Sequence, residues 1–292
     1  MIIPLNNSIS ASVIDYDARE FINACGITQS EAIRGLNDCF RELKSSDLWS
    51  RIYYGFAMIW AGTSQSMLVD IKSRQSLTTL IPTSGATSSP TFSSTGIQYN
   101  GGEYHAILGS PLSAYINTDS RPAHISIYNR TDYISLGLTS VSKHGALEAF
   151  SPYEQSISFG PNGVSASLWN STGPMSFTLS NTSGFFIFSN VDDNNGQVAS
   201  ILNPYSFYLS RNGQIIGSQS SVQNFHSFGS NICIGAYGDN ILLPSVRSID
   251  EICWYSIGEG IGQNPTTGRH IDINQQERFY QIVQKLQTIL NR

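Results

Sequence analysis

Residues Asn231 to Ile261 read NICIGAYGDNILLPSVRSIDEICWYSIGEGI, and the reading of this stretch decides the fold. Its two short apolar runs, Ile232-Cys233-Ile234 and Ile252-Cys253-Trp254-Tyr255, are bounded by Gly or polar residues. Runs of β-branched and aromatic residues set off in this way mark buried strands. Asp239, Asn240 and Pro244 place a loop between them. Just upstream, Phe207, Leu209 and Ile215 alternate around Arg211-Asn212-Gly213. Asn and Gly accept the positive φ angles of a two-residue turn, so this segment predicts a hairpin.

The same pattern extends towards the N-terminus. Strand candidates recur at Tyr115-Ile116, Ala123 to Tyr128, Tyr133 to Leu138, Ser156 to Phe159, Ser165 to Trp169, Met175 to Leu179 and Gly184 to Ser189. Turn clusters such as Asn129-Arg130-Thr131-Asp132, Pro161-Asn162-Gly163 and Ser171-Thr172-Gly173-Pro174 divide them. Short strands with turns every 8 to 12 residues predict a mainly β protein, an antiparallel β-sandwich or jelly roll. Strand-like fragments also occur at Met67 to Ile71 and Gly96 to Tyr99, with a Ser/Thr-rich passage, Thr78 to Ser94, read as loop.

Both ends are helical in pattern. Asp15 or Asp17 can cap a helix through Ala24 that Gly26 stops, with Phe21 and Ile22 facing inward. Thr28 or Ser30 can cap a second, Glu31 to Lys44, where Ile33, Leu36, Phe40 and Leu43 form one apolar stripe. So short a helical unit cannot bury a core alone and must dock on the rest of the chain or on a neighbour. At the other end, Asn274 three residues before Glu277 is a near capping box. Phe279, Ile282, Val283, Leu286, Ile289 and Leu290 then mark one face of a helix over 274–292. The organisation is therefore an N-terminal arm and two-helix segment, 1–52, followed by a sandwich with its terminal helix, 53–292.

Composition narrows the function. Charged residues are 13% of the 292, about half the usual share, while aromatics reach 11%. A net charge of -5 with scattered Lys and Arg argues against nucleic acid, which needs a concentrated positive patch. The most apolar run, Ile52 to Gly62, is too short to span a bilayer. Cys25, Cys39, Cys233 and Cys253 form no C-x-x-C pair. Cys233 and Cys253 would be neighbours if their strands were adjacent. The opening MIIPLNNSIS has no secretion-signal pattern, so buried free thiols made in a reducing cytosol are expected.

No reactive constellation stands out. A retaining glycosidase needs two carboxylates about 5 Å apart, yet Asp250 and Glu251 are adjacent and so point to opposite faces of a strand. They read as solvated or turn-capping, and Glu259 lies beyond a Gly. The histidines, His105, His124, His144, His226 and His270, lack metal-ligand spacing or a nucleophile beside them, and His124 reads as accommodated within a strand. Asp192, Asp193 and Asn195 are oxygen-rich enough to suggest Ca2+ but do not follow a calcium-loop spacing. The aromatics Trp169, Tyr153, Tyr104 and Tyr99 fall at loops or strand ends, where flat rings stack on sugars. Trp49, Trp60 and Trp254 read as packing residues.

Three blocks resemble a known family. Phe21 to Trp49, FINACGITQSEAIRGLNDCFRELKSSDLW, resembles the helical lead-in of tailed-bacteriophage virion proteins with a laminin-G or concanavalin A-like sandwich. Cys253-Trp254-Tyr255-Ser256-Ile257-Gly258-Glu259-Gly260 is similar to that family's closing strand and turn, and Asn274 to Arg292 to its terminal helix. Arg51-Ile52-Tyr53-Tyr54-Gly55-Phe56 replaces the usual Tyr-Pro-rich segment. The resemblance implies a non-enzymatic structural or adhesive component of a phage particle, located in the virion. It would contact other virion proteins through its N-terminal segment, perform as a homo-oligomer and touch host-surface glycan. The alternative is a carbohydrate-binding, lectin-like module, and a glycan-cleaving enzyme ranks below both.

Overall fold

The computed structural model describes residues 14–76, 78–82, 88–107, 123–147, 154–168, 175–191, 205–221, 232–237, 246–262 and 273–292. In chain order come α1 (Tyr16–Cys25), α2 (Ser30–Ser45), β1 (Ile52–Phe56), α3 (Ser64–Met67), β2 (Thr78–Pro82), β3 (Thr91–Phe92), β4 (Ile97–Gln98) and β5 (Glu103–Ile107). Then follow β6 (Ala123–Asn129), β7 (Ser142–Leu147), β8 (Glu154–Gly160), β9 (Gly163–Leu168), β10 (Met175–Phe177) and β11 (Gly184–Val191). The last are β12 (Tyr205–Arg211), β13 (Gln214–Ser221), β14 (Ile232–Ile234), β15 (Ala236–Tyr237), β16 (Val246–Arg247), β17 (Glu251–Glu259) and α4 (Ile273–Ile289).

Two antiparallel sheets form a sandwich. The first runs β13-β12-β11-β6-β17-β4-β3, with β1 also on β17, and the second runs β10-β9-β8-β7-β14-β5-β2. Register fixes which residues face inward, because neighbours along a strand point to opposite faces. Ile125 and Ile127 of β6 sit opposite Phe188 and Phe186 of β11, and Ile157 and Phe159 of β8 opposite Ala166 and Val164 of β9. All of these belong to one buried cluster between the sheets.

The other face of the first sheet carries a second core. Phe185, Ile187 and Trp254 meet Phe279, Ile282, Val283 and Leu286 of α4, with Phe21, Leu36, Phe40 and Leu43 of α1 and α2 in the same cluster. This double burial explains the deciding stretch. β17 is covered on both sides, inside by the sandwich and outside by α4, so every residue from Ile252 to Gly258 is buried. A strand buried on both faces reads as a continuous apolar run rather than an alternation.

The ends of α1 follow the residues named for them, whereas neither Thr28 nor Ser30 caps α2 and Asn274, expected to cap the terminal helix, lies inside α4. Asp15 caps α1 by accepting from Asp17 N at 3.0 Å and Ala18 N at 3.2 Å, and Gly26 closes it at φ 69°. On α2 the cap is Gln29, whose side chain makes no capping bond, and Ser30 is the first helical residue, its hydroxyl donating to Glu31 at 2.9 Å. The apolar stripe of α2 docks on α4 of the same chain, where Lys285 and Arg278 pair with Glu42 at 2.6 and 3.2 Å. The hairpin at Asn212-Gly213 has φ values of 50° and 80°, as a two-residue turn requires.

Several expectations are corrected. Tyr133 to Leu138 is a turn: Asp132 accepts from Ile134 N at 3.2 Å, its carbonyl accepts from Leu136 N at 3.1 Å, and Gly137 has φ 62°. Met67 ends α3, and the residues after it form no strand: Val69 makes an isolated bridge to Ser76, and Ile71 N donates to Gly55 O of β1 at 2.8 Å. The passage read as loop, Thr78 to Ser94, contains β2 and β3, whose pairing comes from distant strands rather than local alternation. β7 is a strand that the sequence reading missed, since Gly145 and Lys143 break its pattern. Cys233 and Cys253 lie in different sheets, and all four cysteines are free and buried. Burial pushes the Cys25 and Cys233 thiols up to about 12. Tyr115-Ile116, Asp239, Asn240 and Pro244 lie outside the described residues.

Candidate functional site

Among the described residues two histidine networks lie inside the molecule, and the side chains of both are buried. In the first, His124 faces α4 from the outer side of β6. Its Nδ1 lies 2.5 Å from Glu259 O, its Nε2 lies 3.2 Å from Ser256 Oγ, and Ser256 Oγ lies 2.6 Å from Ser126 Oγ. The Phe279 ring stands edge-on at 6.2 Å. Burial lowers the His124 pKa from 6.5 to about 4, so the ring is neutral at ordinary pH. A Ser–Ser–His row of this kind has the atoms of a nucleophile and base. Here the ring nitrogen faces a backbone carbonyl instead of an orienting acid, and every member is buried.

The second network sits between the sheets. His144 Nε2 lies 2.9 Å from Asp250 Oδ2, and both side chains are 0% exposed. Gly235 N donates to His144 Nδ1 at 3.0 Å, which leaves the ring proton of the neutral form on Nε2, facing the carboxylate. Tyr133 donates to Ser142, whose hydroxyl accepts from Ile249 N at 2.8 Å. Tyr99 and Phe159 stand edge-on to the imidazole at 6.3 and 6.4 Å. Asp250 is therefore not the solvated carboxylate read from its sequence. Only Glu251 faces outward, 3.6 Å from Arg130 Nε. The pair was illegible beforehand because 106 positions separate its members.

Among the described residues the helices cover the first sheet, and the outer register of the second carries small polar residues, of which Ser158 is buried, Ser165 half-buried and Ser176 exposed. Lys143, Ser158, Ser165 and Ser176 form one cross-strand row over β7 to β10. Ser158 Oγ and Ser165 Oγ are 2.7 Å apart. This row opens into a depression of about 240 Å³, lined by Val141, Gly160, Asn162, Ser165, Ser176 and Thr178. In the next row, Ser156 and Ser167 sit opposite each other, buried, and neither hydroxyl has a hydrogen-bond partner.

Of the three aromatic candidates, Tyr104 belongs to β5, where it pairs with Ile81 of β2. Tyr153 immediately precedes β8, and Trp169 immediately follows β9. Gln155 pairs with Leu168, so those strand ends lie side by side. The side chains of Tyr104, Tyr153 and Trp169 lie outside the described residues, as do Asp192, Asp193 and Asn195. Tyr99 is a core residue, fully buried, with its hydroxyl pKa raised by burial. Among the described residues no group of three or more His, Cys, Asp or Glu is placed to hold a metal ion, and no helix is long and apolar enough to cross a membrane.

No family model and no curated relative matches the sequence. Solved structures do. The receptor-binding domain of a botulinum neurotoxin of the C/D mosaic serotype matches with TM-score 0.50 at 9% identity, over 80% of this chain and 51% of that one. The binding domain of botulinum neurotoxin serotype D matches with TM-score 0.47 at 11% identity, over 82% and 52%. Domain 4 of the extracellular GH43 arabinanase from Geobacillus stearothermophilus, in complex with arabinotriose, matches with TM-score 0.40 at 12% identity, over 78% and 98%. The chain thus spans about half the length of the toxin domains. The likeness is one of fold, and the fold is an antiparallel β-sandwich of the jelly-roll kind.

Proposed function

We propose that this chain is a non-catalytic, lectin-like adhesive module that binds glycan on the second sheet. The observation that carries the reading is the asymmetry of the sandwich. Three helices seal the first sheet under a second core, while the second keeps a hydroxyl-lined depression at Ser158, Ser165 and Ser176. Closely spaced hydroxyls beside small apolar patches suit a sugar, whose own hydroxyls need partners and whose ring faces need contact. Tyr104, Tyr153 and Trp169 are proposed as stacking platforms on the same sheet. The neurotoxin neighbour is a receptor-binding domain by name, but fold likeness alone does not transfer a role.

The sequence blocks at Phe21 to Trp49, Cys253 to Gly260 and Asn274 to Arg292 give the setting. In that setting the module sits on a tailed-bacteriophage particle and touches host-surface glycan. Other virion proteins would hold it through its N-terminal segment. The buried His124 and His144 networks support a binding rather than a hydrolytic role, since among the described residues neither opens to a substrate.

A glycan array and immobilised host polysaccharide test the proposal, comparing the wild type with Ser176→Trp, which fills the depression, and Trp169→Ala. Retention of specific glycans, lost at least tenfold in Ser176→Trp at unchanged melting temperature, is the expected result. Absence of retention on every glycan overturns it. Mass spectrometry of purified particles tests the setting, and absence of the chain from mature virions refutes it.

A further inference from the structure

A second depression, of about 270 Å³, is lined by Tyr128, Asn129, Arg130, Ser183, Arg211 and Asn212. It lies at the end of the first sheet, where β6 and β11 meet the β12–β13 hairpin. Two crossovers tie it to the hydroxyl-lined depression. One runs from Arg130 to Val141 between β6 and β7, and the other from Thr178 to Ser183 between β10 and β11. Each crossover has one end in each depression, so both open at the same end of the sandwich.

Arg211 is fixed without a counter-charge. Its Nε donates to Ser183 O at 3.0 Å and its Nη2 to Ser183 O at 2.7 Å and Asn181 Oδ1 at 3.0 Å. The guanidinium lies 5.8 Å from the Phe186 ring centre. These partners are neutral, and no carboxylate among the described residues pairs with it. Lys44, Arg74, Arg278 and Lys285 each face an Asp or Glu, whereas Arg292, like Arg211, is held by neutral oxygens, those of Ala57, Met58 and Gln287. Arg130 faces Glu251 at 3.6 Å, and its buried Nε makes no hydrogen bond among the described residues.

The walls are rigid. Asn129 is fully buried, donates to Thr131 O and Thr182 O at 2.9 Å each, and accepts from Thr131 N at 3.1 Å. Asn212 Oδ1 accepts from Phe185 N at 2.9 Å, which leaves the amide NH2 of Asn212 as a further donor. Two guanidiniums and an amide, held before any ligand arrives, form a donor set for a planar oxyanion. The net charge of -5 disfavours a long polyanion over the whole surface, so one anionic group at this spot is the fit.

We propose that this pocket takes the carboxylate of an acidic sugar residue, with Arg211 as the principal contact and Arg130 and Asn212 beside it. The proposal rests on the glycan-binding reading and names the class of sugar. The test is a chemical-shift titration of labelled full-length protein with a glucuronate tetrasaccharide, its carboxyl-reduced neutral counterpart, and inorganic sulfate. Binding of the acidic probe at least tenfold tighter than the neutral one, with shifts at Arg211 and Asn212, is expected. Arg211→Gln and Arg130→Gln should each remove that preference while leaving the neutral affinity in place. Arg130→Gln gives up the pairing with Glu251 and the contact with the Cys253 thiol but none of the hydrogen bonds that hold Arg211, and it serves if Arg211→Gln fails to fold. Equal affinity for the acidic and neutral probes overturns this inference and leaves the glycan reading standing, whereas no binding of either probe refutes both. Equal shifts with sulfate alone mark a general anion site and overturn the assignment to a carboxylate.

Discussion

Acidifying the protein from about pH 7 to about pH 4.5 should destabilise it through His124, and the magnitude follows from its site. In the unfolded chain the imidazole titrates near 6.5, whereas in the fold burial beneath Phe279 holds it at about 4. The folded state therefore disfavours the proton. Stability from this group is complete above 6.5 and is lost as pH falls towards about 4, since the unfolded state binds more protons in that window. At 1.36 kcal/mol per pH unit the full displacement is worth about 3 kcal/mol, with most of it lost by about pH 4.5. Urea unfolding of the wild type and of His124→Gln over this range isolates the term, because the carboxylates titrate in both. Gln keeps a donor and acceptor for Ser256 and Glu259 but carries no proton. The wild type should lose about 2.4 kcal/mol more than the variant over this range. Parallel pH profiles for the two proteins would refute the reasoning, as would an imidazole that titrates near 6.5 by NMR.

Gly258 of β17 lies against the start of β1, where Glu259 N donates to Arg51 O at 2.8 Å and a Cβ on Gly258 would collide with that same carbonyl. Gly258→Ala should cost several kcal/mol by forcing β1 off β17, and a urea midpoint within error of wild type would contradict that close approach. Asp250→Ala leaves the buried His144 without its acceptor and should lose about 1.5–3 kcal/mol, the usual worth of a hydrogen bond to a charged group. Thermal unfolding measures it, and a loss below about 1 kcal/mol would show the pair to be solvated.

How far the sequence discloses this molecule depends on the distance between partners. The hairpin at Asn212-Gly213, the stripe Leu36-Phe40-Leu43 and the terminal helix with Phe279 and Ile282 are each written in consecutive residues, and each forms as read. The apolar run in β17 was legible as a buried strand, but not as one covered by α4. What failed depends on remote neighbours. β2 looks like loop until β5 pairs with it, and Asp250 looks solvated until His144 reaches it from another sheet. The apolar pattern of Tyr133 to Leu138 mimicked a strand because Tyr133 is a core residue standing on a turn. Site chemistry was less legible still. Hydroxyls spread over β8, β9 and β10, and arginines 81 positions apart, become neighbours only through strand register. No local motif signals either.

The most direct test of the account is a hydrogen-exchange footprint of the full chain with and without a glycan retained on the array. The account predicts slowed exchange in β8, β9 and β10, centred on Ser158, Ser165 and Ser176, with α1, α2 and α4 unchanged. Protection confined to the three helices, with the second sheet unaltered, would contradict it.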